Sequence, residues 1–261
     1  MAFLLVYVDD IVLTGNSPQF LTSLIAQLSA VFELKDLGPL SYFLGLQILR
    51  TSKGLFVTQT KYAQDLLLRV HMHTSKPART PCAPNTRLSP TDGTLLSNPH
   101  EFRSLVGSLH YLTFTRPDLN FAIQQVCQFM SNPTDIHLIA AKRILRYVNG
   151  TLHRGVFFQP GPLSLSAFSD SDLAGDPYDR HSITGYIVYL GYNPITWSAK
   201  KQDTISRSSI ESENRALATT TIGLYWLLQV LRDLEVSLLV PLKLWCDNVF
   251  SLAIASNPQN L

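Results

Sequence analysis

The sequence predicts an α+β, mixed α/β chain. Runs rich in β-branched and aromatic residues, FLLVYV at 3–8 and IVLT at 11–14, carry the mark of strands. Helical periodicity fills most of 99–149. From 163 onward the order is three strands, a helix, a strand and another helix, which suggests a compact mixed domain.

The two opening runs flank Asp9-Asp10, so the spacing predicts a strand–turn–strand hairpin. Ser17-Pro18 then opens a helix to about Phe32, with Leu21, Leu24, Ile25 and Leu28 on one face. Gly38-Pro39 breaks the chain. Strands are expected near 42–50 and 54–59, joined through Ser52-Lys53-Gly54, and a helix over about 60–70. Residues 74–98 hold Pro77, Pro81, Pro84 and Pro90 among Ser, Thr and Asn, which predicts an irregular connector. Helices follow at about 99–114, 117–130 and 134–149, the last closed by Asn149-Gly150. Strands are expected at 154–158, 163–169, 184–190, 194–198 and 242–246, and helices at about 209–234 and 248–256.

Composition narrows the function. Hydrophobic residues make up 46% of 261, enough for a real core. Lys+Arg number 21 against Asp+Glu 19, so any grip on nucleic acid must come from local clusters. Cys82, Cys127 and Cys246 lie far apart, without the spacing of a zinc site or a disulfide framework, which points to a reducing compartment. The apolar start has no basic region before it. The stretch 222–240 is interrupted by Arg232, Asp233 and Glu235. Neither reads as a signal peptide or a membrane span, so the expectation is an intracellular chain.

Two sets of carboxylates point to chemistry. Adjacent aspartates about 4 Å apart repel by roughly 4 kcal/mol at an effective dielectric of ~20. A divalent cation turns that repulsion into attraction, as two-metal phosphoryl chemistry requires. A solvated Asp-Asp turn is the commoner case, but the apolar runs on both sides and Tyr7 before the pair favour a buried hairpin with a task. In the second set, strand alternation over 163–170 places Asp170 and Asp172 on the same parity and does not choose between them. Ser208 with Glu211 has capping-box spacing and Glu211 with Arg215 ion-pair spacing, so Glu211 has structural work. Glu213 instead falls in register with Leu217, Thr220, Leu224, Leu227 or Leu228, and Leu231, on the stripe that faces the sheet. A lone buried charge is costly unless paired or bound to metal, which makes Glu213 the better ligand. Asp247 sits at the end of the strand 242–246, where open α/β sheets place their sites.

Lys142, Arg143 and Arg146 share a helix, and the pattern fits either a face that tracks a phosphate backbone or a solvated basic face. Lys200 and Lys201 beside Trp197 are further candidates for meeting a duplex. His71 and His73 have no second ligand pair and read as loop residues. Trp226 and Trp245 read as core.

Tyr7-Val8-Asp9-Asp10 resembles the polymerase signature of reverse transcriptases. The continuation resembles the Ty1/copia class of long-terminal-repeat retrotransposons: Lys35 to Leu40, Tyr42-Phe43-Leu44-Gly45-Leu46, Gln59 to Tyr62, Arg103 to Gly107, Thr115-Arg116-Pro117-Asp118 and Leu145-Arg146-Tyr147. The segment 164–261 resembles the ribonuclease H domain of these elements, through Ile195 to Gln202, Ser206 to Ser209 and Trp245-Cys246-Asp247-Asn248. The resemblance implies a partial polymerase palm over 1–73, the connector over 74–98, thumb or connection helices over 99–153, and a ribonuclease H-like domain over 154–261. It implies catalytic, metal-binding roles for Asp9 and Asp10 in the first part and for Asp170, Glu213 and Asp247 in the last. The implied cofactor is Mg²⁺, or Mn²⁺, which suits carboxylate and water ligands. The implied partners are an RNA–DNA hybrid or template–primer and the remainder of a Pol polyprotein.

The sequence also departs from that pattern. A reverse transcriptase of this kind uses a further aspartate on an upstream strand, and none of the eight residues before Asp9 is acidic. The family carries one more acidic ligand, beyond a His-containing segment, later than Asn257-Pro258-Gln259-Asn260-Leu261. Leu173 stands where Trp is common. The expectation is a Pol-derived chain without polymerase activity of its own, with feeble hybrid cleavage and a weakened second metal. The contrasting expectation is a non-catalytic nucleic-acid-binding or interaction remnant. A third is an unstable gene product whose half-palm exposes a sheet edge.

Overall fold

The computed structural model describes residues 2–84 and 87–257; Met1, Asn85, Thr86 and 258–261 lie outside the described residues. Pro258, Gln259, Asn260 and Leu261 belong to the run that starts at Asn257.

The chain opens as a ribbon in which β1 (Ala2–Tyr7) pairs antiparallel with β2 (Asp10–Gly15), Tyr7 opposite Asp10. Val8 and Asp9 make the reversal. Val8 sits at φ 50°, a region β-branched residues rarely enter. The expected hairpin is present, but the structure corrects two of its details. Asp10 begins β2 rather than sharing the tip, and the flanking strands are not buried: Leu4, Leu5, Val6, Tyr7 and Val8 are 50–80% exposed. The reason is that no third strand pairs with this ribbon among the described residues. Helix α1 (Pro18–Val31) packs against β2. It starts where Ser17 accepts from the Phe20 N–H and Pro18 takes the first helical position. Its stripe Leu21, Leu24, Ile25 and Leu28 is only half-buried.

A second sheet contains β3 (Tyr42–Phe43), β4 (Leu46–Thr51), β5 (Gly54–Thr58) and β6 (Val156–Phe158), in that order and antiparallel throughout. The run 42–50, expected as one strand, is split. Leu44 and Gly45 both take positive φ, 47° and 72°, and reverse the chain in two residues. Tyr111 accounts for the glycine: its hydroxyl donates to the Leu44 carbonyl and would lie 2.9 Å from a Cβ at Gly45. Strand β6, grouped by sequence with the C-terminal segment, pairs with β5 instead, Leu55 opposite Phe158.

Four helices form the larger core: α2 (Thr60–Arg69), α3 (Pro99–Leu112), α4 (Asn120–Cys127) and α5 (Asp135–Asn149). A 3₁₀ turn at Pro117–Leu119 shortens the helix expected over 117–130. Asn98 and Thr134 cap α3 and α5. Ala141, Ile144, Leu145 and Val148 follow helical spacing and are buried with Leu66, Phe102, Leu109 and Ile123. Each large apolar side chain so buried contributes about 1.5–3 kcal/mol. The described part of the connector 74–98 forms no helix or strand beyond an isolated bridge, Leu95 to Thr134. It is tied to α5 by Asn149 Nδ2 to the Ser75 carbonyl at 2.9 Å.

The C-terminal unit contains β7 (Leu165–Ser171), β8 (Ile183–Leu190), β9 (Asn193–Lys201), α6 (Ser209–Asp233), β10 (Lys243–Trp245) and α7 (Val249–Ala255). The sheet order is β10-β7-β8-β9, with β10 parallel to β7 and the other pairs antiparallel. Alternation along β7 buries Leu165, Ala167, Ser169 and Ser171. They lie on the side of α6, whose buried stripe is Glu213, Ala216, Leu217, Thr220, Leu224, Leu227 and Leu231. Trp226 and Trp245, expected in the core, are 61% and 53% exposed. Trp226 lies off the α6 stripe, and Trp245 stacks on the equally exposed Phe168 across β10 and β7. The unit is joined to the helices through β9: Trp197 Nε1 donates to the Thr113 carbonyl at 2.9 Å and Lys201 Nζ to Gln128 Oε1 at 2.9 Å.

Candidate metal centre

Glu213 is placed by the start of α6. The Ser208 hydroxyl accepts from the Glu211 N–H at 3.2 Å, and Glu211 turns outward to Arg215 at 2.6 Å. Two residues on, Glu213 turns inward and is 5% exposed. Its Oε1 accepts from the Ser171 N–H at 3.2 Å and its Oε2 from Cys246 Sγ at 3.8 Å. Burial pushes the Glu213 carboxyl above its ordinary pKa, the Ser171 hydrogen bond pulls the other way, and the charges of Asp170 and Asp247 push it further up.

The parallel pairing of β10 with β7 aligns Trp245 with Phe168. The residues following β10 therefore arrive beside the end of β7. Glu213, Cys246 and Asp247 each offer a ligand atom within 4.8 Å of the others. Asp170 is exposed on β7, opposite Gly185, close enough for its charge to act on Glu213 but outside that tighter group. Asp172, which strand parity left equal to Asp170, has a different task. Its Oδ1 accepts from the Ile183 N–H at 2.6 Å, and a Cβ at Gly175 would lie 1.8 Å from its Oδ2. Asp172 closes the loop between β7 and β8, and glycine at 175 makes room for it.

The donor set fits a hard divalent cation through its carboxylates, not through its sulfur. Burial, together with Glu213 and Asp247, pushes the Cys246 thiol up, so at neutral pH it is a protonated donor to Glu213. Sequence reading gave Cys246 no part here, because its place depends on the register of β10. Asp9 and Asp10 are both exposed, and neither joins a group of three metal-binding side chains among the described residues.

The candidate basic residues divide. Lys142 and Lys200 are exposed. Arg143 Nη2 donates to Thr80 Oγ1 at 2.9 Å and Arg146 Nε to the Lys76 carbonyl at 2.7 Å, so both fasten the connector. Lys201 meets Gln128 Oε1 at 2.9 Å and Asp176 and Asp179 at 2.6 Å each, which occupies its three N–H groups. Lys201 is thus fully engaged within the protein, while Arg143 and Arg146 each give one of their five N–H donors to the connector. His71 lies past the end of α2 at φ 54°, a loop residue as expected.

A family model described as reverse transcriptase (RNA-dependent DNA polymerase) matches residues 2–84. The chain is 48% identical over 259 residues to the retrovirus-related Pol polyprotein from transposon RE1 of Arabidopsis thaliana, covering 99% of this chain and 18% of that polyprotein. It is 35% identical over 265 residues to the corresponding polyprotein from transposon TNT 1-94 of Nicotiana tabacum, covering 97% of this chain and 20% of the relative. An uncharacterized mitochondrial protein of Arabidopsis thaliana is 49% identical over 225 residues, 86% of this chain and 93% of its own length. The chain thus spans about a fifth of the Pol polyproteins it matches.

Proposed function

The chain belongs to the Pol polyproteins of Ty1/copia-type retrotransposons, and on that premise we propose that its surviving chemistry is ribonuclease H-like cleavage of RNA in an RNA–DNA hybrid. The carrying observation is the Glu213 carboxylate, which burial first, and then the charges of Asp170 and Asp247, drive toward protonation. Two like charges beside one buried acid, with no cationic side chain among its hydrogen-bond partners, make a site that a divalent cation relieves. The three-stranded meander, the helix and the parallel strand added beside the first are in keeping with a ribonuclease H-like unit.

Asp170, Glu213 and Asp247 would hold Mg²⁺ or Mn²⁺. When bound, the metal supplies an activated water and charge neutralisation at the phosphate. Glu213 is oriented by the Ser171 N–H and screened from bulk water. Asp170, exposed on β7, would complete the set from the solvent side. Lys142 and Lys200, both exposed, would contact the duplex backbone.

The YVDD hairpin is read as part of a polymerase palm that does not extend primers in this chain, because its two exposed carboxylates gather no third ligand among the described residues. Primer extension on an RNA template that disappears in an Asp9→Asn, Asp10→Asn variant would overturn this. Mn²⁺-dependent hybrid cleavage that is lost in Asp170→Asn and in Glu213→Gln tests the nuclease assignment. The second reading, a binding remnant without turnover, draws on Asp170 lying outside the tight Glu213–Asp247 group. Its signature is salt-dependent hybrid binding with no cleavage.

A further inference from the structure

We infer that Gln202 is a positioning residue for the candidate metal centre, its buried side-chain amide fixing where Glu213 stands. The inference rests on the reading of Glu213 as a metal ligand. Gln202 is 9% exposed. Its Nε2 lies 3.1 Å from Ser171 Oγ, 3.0 Å from Thr184 Oγ1 and 2.9 Å from the Ser212 carbonyl, and its Oε1 accepts from Ser206 Oγ at 3.0 Å. The main chain is held as firmly. Its N–H donates to the Ser182 carbonyl at 2.8 Å, and its own carbonyl meets His181 Nδ1 at 2.6 Å.

Two of these contacts bear directly on Glu213. Ser171 supplies the N–H that holds Glu213 Oε1, and Ser212 is the residue before Glu213 in α6. One amide therefore grips the strand residue that orients the carboxylate and the helix residue that carries it. Thr184 adds the neighbouring strand, so β7, β8 and the start of α6 share one polar junction. Three hydroxyls and a carbonyl are committed to this junction. A matched apolar set would pack there at little cost in stability. What the polar set adds is direction, since each hydrogen bond has a preferred length and angle. Groups that orient a metal ligand typically change metal affinity by about 10–100-fold when removed.

The test is Mn²⁺ titration of the purified full chain, followed by electron paramagnetic resonance, in wild type, Gln202→Met and a core control, Leu224→Ala. Gln202→Met is expected to weaken Mn²⁺ by about tenfold or more, while Leu224→Ala lowers Tm and leaves Mn²⁺ affinity in place. Unchanged Mn²⁺ affinity in Gln202→Met, or an equal loss in both variants, overturns the inference. A readout without metal separates this from the metal reading itself. Cys246 lies against Glu213, so its alkylation rate, followed on its own peptide, should change several-fold in Gln202→Met and not in Leu224→Ala. If wild type binds no Mn²⁺ yet Cys246 responds, Gln202 positions Glu213 and the ligand role fails; if Cys246 is indifferent, the positioning role fails. Should Gln202→Met not fold, Ser206→Ala removes only the donor to Gln202 Oε1. It should move both readouts in the same direction, more weakly, and no movement in either overturns the inference.

Discussion

The Ser171 N–H donates to Glu213 Oε1 at 3.2 Å, fastening a buried carboxylate of α6 to the last residue of β7. Burial first, then Asp170 and Asp247, raise the pKa of that carboxylate above its unfolded value. The folded chain keeps the proton to higher pH than the unfolded chain does. Stability of the metal-free protein is therefore lost as pH rises from the ordinary carboxylate range through the folded-state value. Glu213→Gln, neutral throughout, should raise metal-free stability at pH 7 by about 0.5–2 kcal/mol and flatten that slope. Mn²⁺ should raise the Tm of wild type and not of the variant. Thermal melts check both, and a variant less stable than wild type without metal contradicts the account.

Arg116 is 4% exposed and grips Asp118 with two hydrogen bonds of 2.8 Å, while Tyr147 and Arg154 also reach Asp118. Burial alone would raise the Asp118 pKa, but Arg116, then Tyr147 and Arg154, outweigh it and hold the carboxyl below its ordinary range. Its contribution is present above the unfolded carboxylate pKa and lost as pH falls through the folded value. Asp118→Asn leaves Arg116 with an uncompensated charge and should cost about 2–4 kcal/mol in denaturant unfolding at pH 7.

His137 is fully buried and stacks on Phe129 with centroids 3.8 Å apart. Its Nδ1 accepts from the Thr134 N–H at 3.0 Å, completing the α5 cap. Burial lowers its pKa, against the opposing pull of the Ser89 carbonyl and the charges of Asp92 and Asp135. The unfolded chain takes up this proton first, so stability falls as pH drops below the ordinary His value of about 6.5. Melts between pH 7 and 5 should show that loss, and a His137→Gln variant should start lower at pH 7 with a shallower decline.

Lys200 and Lys201 are adjacent on β9 but face different surroundings. Lys200→Ala should weaken hybrid binding modestly and reduce its salt dependence by about one released ion. Lys201→Ala should leave the salt dependence alone and lower Tm instead, because it removes the tie from Gln128 to Asp176 and Asp179. Binding isotherms at two or three salt concentrations separate the two outcomes.

Glu213 shows how far the sequence reaches. Its place on the apolar stripe of α6 is a matter of helical period, and the burial follows. Asp170 and Asp172 share strand parity, so only the closing contact from Asp172 to Ile183 separates them. Trp245 and Cys246 depend on which strand β10 joins and in what register, and no local pattern encodes a pairing about eighty residues away in sequence. The same holds for β6, whose partner is β5 rather than a neighbour in sequence. Lys201, Arg143 and Arg146 are legible as basic but not as engaged, since their acceptors lie on other elements. The Val8-Asp9 reversal follows from local residues, whereas its exposure follows from the lack of a third strand on the ribbon among the described residues.

Single-turnover cleavage of an RNA–DNA hybrid, with each strand labelled in turn, tests the central claim most directly. With Mn²⁺ the chain should cut the RNA strand slowly and spare the DNA strand, and Asp170→Asn, Glu213→Gln and Asp247→Asn should each lower the rate by about a hundredfold or more. Cleavage that survives these substitutions, or no RNA cleavage by wild type while the protein is folded and Mn²⁺ is bound, would contradict it.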